Sequence, residues 1–233
     1  MNAPTARTKP QPAAVDPNAP KRTLLLTGAS RGIGHATVIR FSSAGWRVIT
    51  CSRHPFPEQC PWGAGPEDHI QVDLSDHADT ARAIAEIRER LEGGMLHALV
   101  NNAAISPKAE GGARLGSVDT DIDTWSHVFR VNFFAPIMMA RGLIAELKAA
   151  KGSVVNVSSI AGSRVHPFAG AAYGTSKAAL AAVIARLYVS HASSASRPSS
   201  GRSSQNESCR LRLPALMGRC RRWLRADSRA RAA

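Results

Sequence analysis

Tyr173 and Lys177 stand four residues apart at the start of an Ala- and Leu-rich stretch of helical character. Positions i and i+4 share a helix face, so the ammonium can lie beside the phenol. There it stabilises a phenolate and lowers a pKa that starts near ~10. A second chemical feature lies near the beginning: Thr27-Gly28-Ala29-Ser30-Arg31-Gly32-Ile33-Gly34, with glycines spaced four and then two. Such a turn can lay a pyrophosphate on backbone N–H groups at a helix N-terminus, because glycine lacks the Cβ that would block close approach. Glycines that merely make a tight turn look the same, so the other motifs must decide. Cys51, His54, Cys60 and His69 can be written as a zinc ligand set, but their separations match no common site and no metal is expected.

The elements that must position these groups alternate regularly. Apolar runs that suit strands buried on both faces occur at Thr23 to Leu26, Arg47 to Cys51, His69 to Asp73, Leu96 to Val100 and Ser153 to Val157. Helical patterns follow them: His35 to Ala44 ending at Gly45, a helix capped by Ser75 with Ile84, Ile87 and Leu91 at spacings of three and four, Asp123 to Ala150, and Tyr173 to about Ser190. Strands alternating with helices of this length need crossover connections. The expected fold is therefore α/β, a doubly wound parallel sheet.

Composition bounds the rest. With 233 residues, 44% of them hydrophobic, the chain has material for a sizeable core. It has no run of about 18 apolar residues and no apolar signal core at its N-terminus, so no membrane partner is expected and the cytoplasm is the expected location. Four cysteines without a C-x-x-C pair fit reduced thiols. The net charge of +13 is unevenly placed: residues 191–233 hold ten Arg against two acidic groups, with nine Ser and neither Val nor Ile. Three segments follow, a Pro-rich disordered leader (1–20), a folded α/β domain (21–190) and an Arg/Ser-rich tail (191–233) expected to be disordered. A basic nucleic-acid binder would use that tail on phosphates, but a lone Trp223 and no binding module make it the least favoured reading.

Asp73-Leu74 after the third strand, Asn101-Asn102-Ala103-Ala104 after the fourth, Ser158-Ser159 after the fifth and Tyr173-x-x-x-Lys177 fall in order behind the Gly-rich turn. In this the sequence resembles the short-chain dehydrogenase/reductase family over about residues 22–190. Ala104 stands where the family usually has Gly. The resemblance implies hydride transfer between a nicotinamide cofactor and a small-molecule carbonyl or alcohol, in a homodimer or homotetramer. By it, Tyr173 exchanges a proton with the substrate oxygen, and Lys177 also holds the nicotinamide ribose. Ser159, fourteen residues before Tyr173, binds the carbonyl oxygen, with Ser158 as second choice, and Asn132 anchors a water in the proton relay. Cofactor contacts are implied for Gly28, Ser30, Arg31, Gly32, Ile33, Gly34, Ser52, Arg53, Asp73, Leu74, Asn101, Ala103, Tyr173 and Lys177. Asp73 would meet the adenine amino group, and Asn101 would line the adenosine and steady the central strand.

Two departures carry expectations of their own. Relatives that use NAD place a carboxylate at the end of the second strand, whereas Thr50-Cys51-Ser52-Arg53 ends in a guanidinium and has Arg31 nearby. That favours the 2′-phosphate of NADP, with NAD as the second choice. The family's sixth and seventh strands and its Pro-Gly closing turn are missing beyond residue 190, as if the reading frame had shifted. The alternative function is accordingly a cofactor-binding, catalytically crippled remnant, and the chain as written is expected to be marginally stable and poorly active, because the sheet would end at an uncovered edge beside the fifth strand or its neighbour.

Overall fold

The computed structural model describes residues 21–56 and 65–192. Five parallel strands, β1 (Thr23–Thr27), β2 (Arg47–Ser52), β3 (His69–Gln71), β4 (Ala98–Asn101) and β5 (Ser153–Asn156), form one sheet in the order β3-β2-β1-β4-β5. The helices are α1 (Gly32–Ser42), α2 (His77–Leu91), α3 (Ile122–Phe129), α4 (Ala135–Gly142), α5 (Ile144–Ala149) and α6 (Ala171–Ala192). The α/β doubly wound expectation is met. The strand order reverses between β1 and β4, which opens a crevice at their carboxyl ends.

Alternation along the strands builds a core on each face. Leu24 and Leu26 of β1, with Val48 and Val100, pack with Val38, Phe41 and Trp46 on one side. Leu25, Ile49 and Leu99 meet Ile84, Ile87, Met139 and Leu143 on the other. Each fully buried Leu or Ile contributes roughly 1.5–3 kcal/mol. Cover thins on both faces at β5, where Val154 and Val155 are exposed, and no further strand pairs with it among the described residues.

Local competition moved several boundaries. β3 is shorter than its apolar run because the Asp73 N–H turns away to the Asp79 carboxylate at 2.7 Å. Asp76, not Ser75, caps α2: the Asp73 carboxylate accepts both the N–H and the hydroxyl of Ser75, leaving Asp76 Oδ1 to accept from Ala78 and Asp79. The segment read as one helix from Asp123 to Ala150 is interrupted by a π-helical turn at Arg130–Phe134 and a break at Leu143. Pro136 has no N–H to return to the Asn132 carbonyl, so the α-helical ladder cannot run through this point. Ala135 bonds instead to the Arg130 carbonyl five residues back. The leader and the tail beyond residue 192 lie outside the described residues.

Candidate functional site

The Gly-rich turn leaves β1 and enters α1 in a single bend. Gly28 has φ +70°, and a Cβ there would come within 2.8 Å of the Ala103 Cα, so only glycine lets the turn lie against the β4 loop. At Gly34 a Cβ would drive into the Gly28 carbonyl oxygen. That is backbone meeting backbone, which no rotamer change relieves. Gly34→Ala is therefore expected to destabilise the chain by about 3 kcal/mol, read as a lowered urea midpoint. An unchanged midpoint would mean that the turn is looser than its geometry indicates.

Gly32, at φ +57°, has open space where its Cβ would point. α2 and α3 have carboxylates from Asp76 and Asp121 on their first-turn N–H groups, but α1 has no side-chain cap. An uncapped helix start beside a Cβ-free turn fits an anionic phosphate.

At the carboxyl ends of β1, β2 and β4 lies a cleft of about 510 Å³. It gathers Gly28, Ser30, Arg31, Ser52, Arg53, Asp73, Leu74 and Ala103, all expected cofactor contacts. Gly32, Gly34 and Ile33 support the turn outside the lining, and the Ile33 side chain is exposed. Asn101 is buried beneath, its amide nitrogen donating to Asn156 Oδ1 at 2.8 Å, which ties β4 to β5. Asn102 lines the cleft in its stead, an assignment the sequence reading did not make. Its amide donates to the Gly28 carbonyl at 2.8 Å, while the Thr27 hydroxyl accepts the N–H groups of Asn102 and Ala103, both at 3.1 Å. These bonds lock the Gly turn to the β4 loop.

Two cleft groups have shifted protonation. Ser75 N–H, with the Ser75 hydroxyl and Arg53 adding to it, holds the Asp73 carboxyl below the ordinary carboxylate range. Burial, reinforced by the Glu86 carboxylate, pushes the Cys51 thiol up to about 12, so it stays a thiol and is a poor metal ligand. Among the described residues no three His, Cys, Asp or Glu side chains could hold a metal ion, and Cys60 lies outside them.

The second group of residues meets where α6 crosses the π-helical turn and the β5 loop. Lys177 is buried, with its Nζ donating to the Val157 carbonyl at 2.7 Å and lying 5.9 Å from the Tyr173 ring centre. Burial lowers its pKa to about 8. Asn132, fully buried in the π-helical turn, accepts from the Ile105 N–H at 2.8 Å and donates to the Ile105 carbonyl at 2.9 Å. Its amide also donates to Ser176 Oγ at 3.1 Å, and that hydroxyl donates to the Tyr173 carbonyl at 2.8 Å. Ser176 thus joins Asn132 to the Tyr/Lys helix. It was missed in the sequence because a Ser inside a helix reads as an ordinary residue. The Ser159 hydroxyl accepts from Ala161 N–H at 3.2 Å. Gly162 and Gly174 let this loop touch α6: a Cβ at either would stand 2.9 Å from backbone of the other segment. Ile105 and Val131 line the cleft beside Asn132, so the two groups share a border.

A family model for short chain dehydrogenases matches residues 22–195. The chain belongs to the short-chain dehydrogenase/reductase family. Within that family, protein FixR of Bradyrhizobium diazoefficiens is 61% identical over 176 residues, 75% of this chain and 63% of that protein. This short-chain dehydrogenase/reductase chain therefore spans less than two thirds of that relative's length. A Brucella ovis oxidoreductase solved with a partially ordered NAD superposes with a TM-score of 0.72 at 69% identity, covering 75% of this chain and 79% of that one. A metagenomic short-chain oxidoreductase solved with NADP gives 0.62 at 26% identity, covering 74% and 77%. Among the described residues no helix is long and apolar enough to cross a membrane.

Proposed function

We propose that this chain carries the cofactor and proton-transfer machinery of an oxidoreductase that prefers NADP(H) and acts on a small-molecule carbonyl or alcohol. The observation that supports it best is the buried Lys177 one helical turn from Tyr173, beside the Asn132 π-helical turn and at the border of the cleft. A buried ammonium without a carboxylate partner is costly, and such groups concentrate where a reaction uses them. When bound, the nicotinamide supplies or accepts the hydride. Tyr173 exchanges the proton with the substrate oxygen, Lys177 favours the phenolate and binds the ribose hydroxyls, and Ser159 orients the carbonyl. Asn132 is held by Ile105 and Ser176 so that its turn keeps the relay aligned. Turnover of a carbonyl panel, followed by the absorbance of reduced nicotinamide, tests the activity. No turnover together with tight cofactor binding would instead favour a cofactor-binding remnant.

The cofactor preference rests on charge. The β2 end presents exposed Arg53, with Arg31 across the same cleft and no carboxylate on β2. A guanidinium pairs bidentately with a phosphate, whereas the two ribose hydroxyls of NAD call for an acceptor. Arg53→Asp is expected to weaken NADPH binding about tenfold or more and to leave NADH equal or favoured. Fluorescence titration with both cofactors checks this, and equal affinities in the parent, unchanged in the variant, would sink it. We also propose a homodimeric or homotetrameric assembly and a cytoplasmic location, with neither membrane nor nucleic acid as partner.

A further inference from the structure

β3 is the edge strand beside β2, and the loop that leaves β2 carries Arg53 and His54 into the cleft. Beyond Val72, whose N–H reaches the Ser52 carbonyl at 2.8 Å, no strand among the described residues holds this loop. Two side chains of β3 take over. His69 lies opposite Thr50. Its Nδ1 is 2.9 Å from Thr50 Oγ1, its Nε2 is 2.9 Å from the His54 carbonyl oxygen, and the Ser52 hydroxyl stands 3.4 Å from the same Nε2. A carbonyl has no hydrogen to give, so Nε2 carries the hydrogen and donates to it, while Nδ1 is bonded to the Thr50 hydroxyl. Ser52 Oγ donates to the same His54 carbonyl at 2.9 Å.

Two residues further along, on the same side of the strand, Gln71 Nε2 donates to the Arg53 carbonyl at 3.0 Å. The Gln71 backbone is itself fixed, its carbonyl accepting from Arg82 of α2 at 2.7 Å. Successive carbonyls of the loop are thus held by successive same-face side chains of β3. The Phe56 ring, 5.8 Å from the His69 ring, packs on this clamp. Arg53 is exposed and has no side-chain ion pair among the described residues, so its backbone decides where the guanidinium can reach.

We infer that His69 and Gln71 are positioning residues for cofactor selection, clamping the Arg53–His54 backbone so that Arg53 meets the 2′-phosphate. The inference rests on the NADP(H) reading above. It makes the imidazole a part of the specificity apparatus although it need not touch the cofactor.

The test is the ratio of NADPH to NADH affinity, titrated by fluorescence on the full chain and on His69→Leu, His69→Gln and Gln71→Ala. His69→Leu should lower the ratio about fivefold, through NADPH, with NADH affinity kept within about twofold. His69→Gln places an amide N–H near the position of Nε2 and should restore most of the ratio. Gln71→Ala, at an exposed position, should lower the ratio about twofold to threefold, and it decides the matter if His69→Leu does not fold. An unchanged ratio in both deletions, or a parallel loss of both cofactors, overturns the inference. A parent that binds NADPH no better than NADH overturns it together with the cofactor reading, whereas a selective parent with unselective effects in the variants overturns the inference alone.

Discussion

Tyr173→Phe is expected to lower kcat by about a thousandfold, the usual scale for removing a positioned general acid, while cofactor affinity stays within about twofold. The substitution deletes one hydroxyl and little else. Tyr173 is only partly buried, and its backbone carbonyl, not its ring, holds the Ser176 hydroxyl. The Asn132–Ser176 link should survive, and with it the shape of the site. Steady-state turnover with a carbonyl substrate, set beside a cofactor titration, separates the two effects. Retention of more than about a tenth of the parent kcat would show that another group supplies the proton. A loss of cofactor affinity as large as the loss of turnover would give the ring a binding role instead.

Replacing Lys177 with Met should make the protein more stable at neutral pH and less able to bind cofactor. The ammonium is buried with one hydrogen bond, to the Val157 carbonyl, and no ion pair reaches it among the described residues. In the folded chain it titrates at about 8, below its ordinary value of 10.5. Between those two values the unfolded chain holds more protons than the native one. Stability therefore rises with pH across that window, and the cost of the buried charge is fully present below about 8. A methionine of similar shape removes the cost, for a gain on the order of 1–3 kcal/mol at neutral pH, and it removes this part of the pH slope. Urea midpoints of parent and variant from about pH 7 to about pH 10 measure both. A variant less stable than the parent at neutral pH, with the alkaline rise intact, would mean that the ammonium is well solvated or paired in solution.

The expense of Lys177 also explains how a site can be visible in a sequence without its surroundings being so. The i, i+4 spacing puts Tyr173 and Lys177 on one face wherever the helix lies, and the glycines at 28, 32 and 34 permit a turn that a side chain would strain or block. The Leu24-Leu25-Leu26 run identifies a strand covered on both sides, and both cores are found. Period and glycine placement are local, and local patterns survive in a string of letters.

What the tertiary structure decided depends on partners far apart in the chain. Asn132 becomes a fixed group only when Ile105 and Ser176 arrive at its amide, and Asn101 faces Asn156 only once β5 lies beside β4. The apolar period from Asp123 to Ala150 runs on past Pro136 and so hides the break there, whose form is a π-helical turn packed against α6. Ser75 was a reasonable cap until the Asp73 carboxylate took its N–H and hydroxyl. Nothing local to His69 or Gln71 shows what they bind until β3 comes to rest at the sheet edge with the carbonyls of His54 and Arg53 in reach. The physical reason is common to all of these. Element type follows from the period of a single stretch, whereas a buried polar group must be satisfied by whatever donor or acceptor the fold brings within about 3 Å of it, and that neighbour is chosen by the packing of the whole sheet.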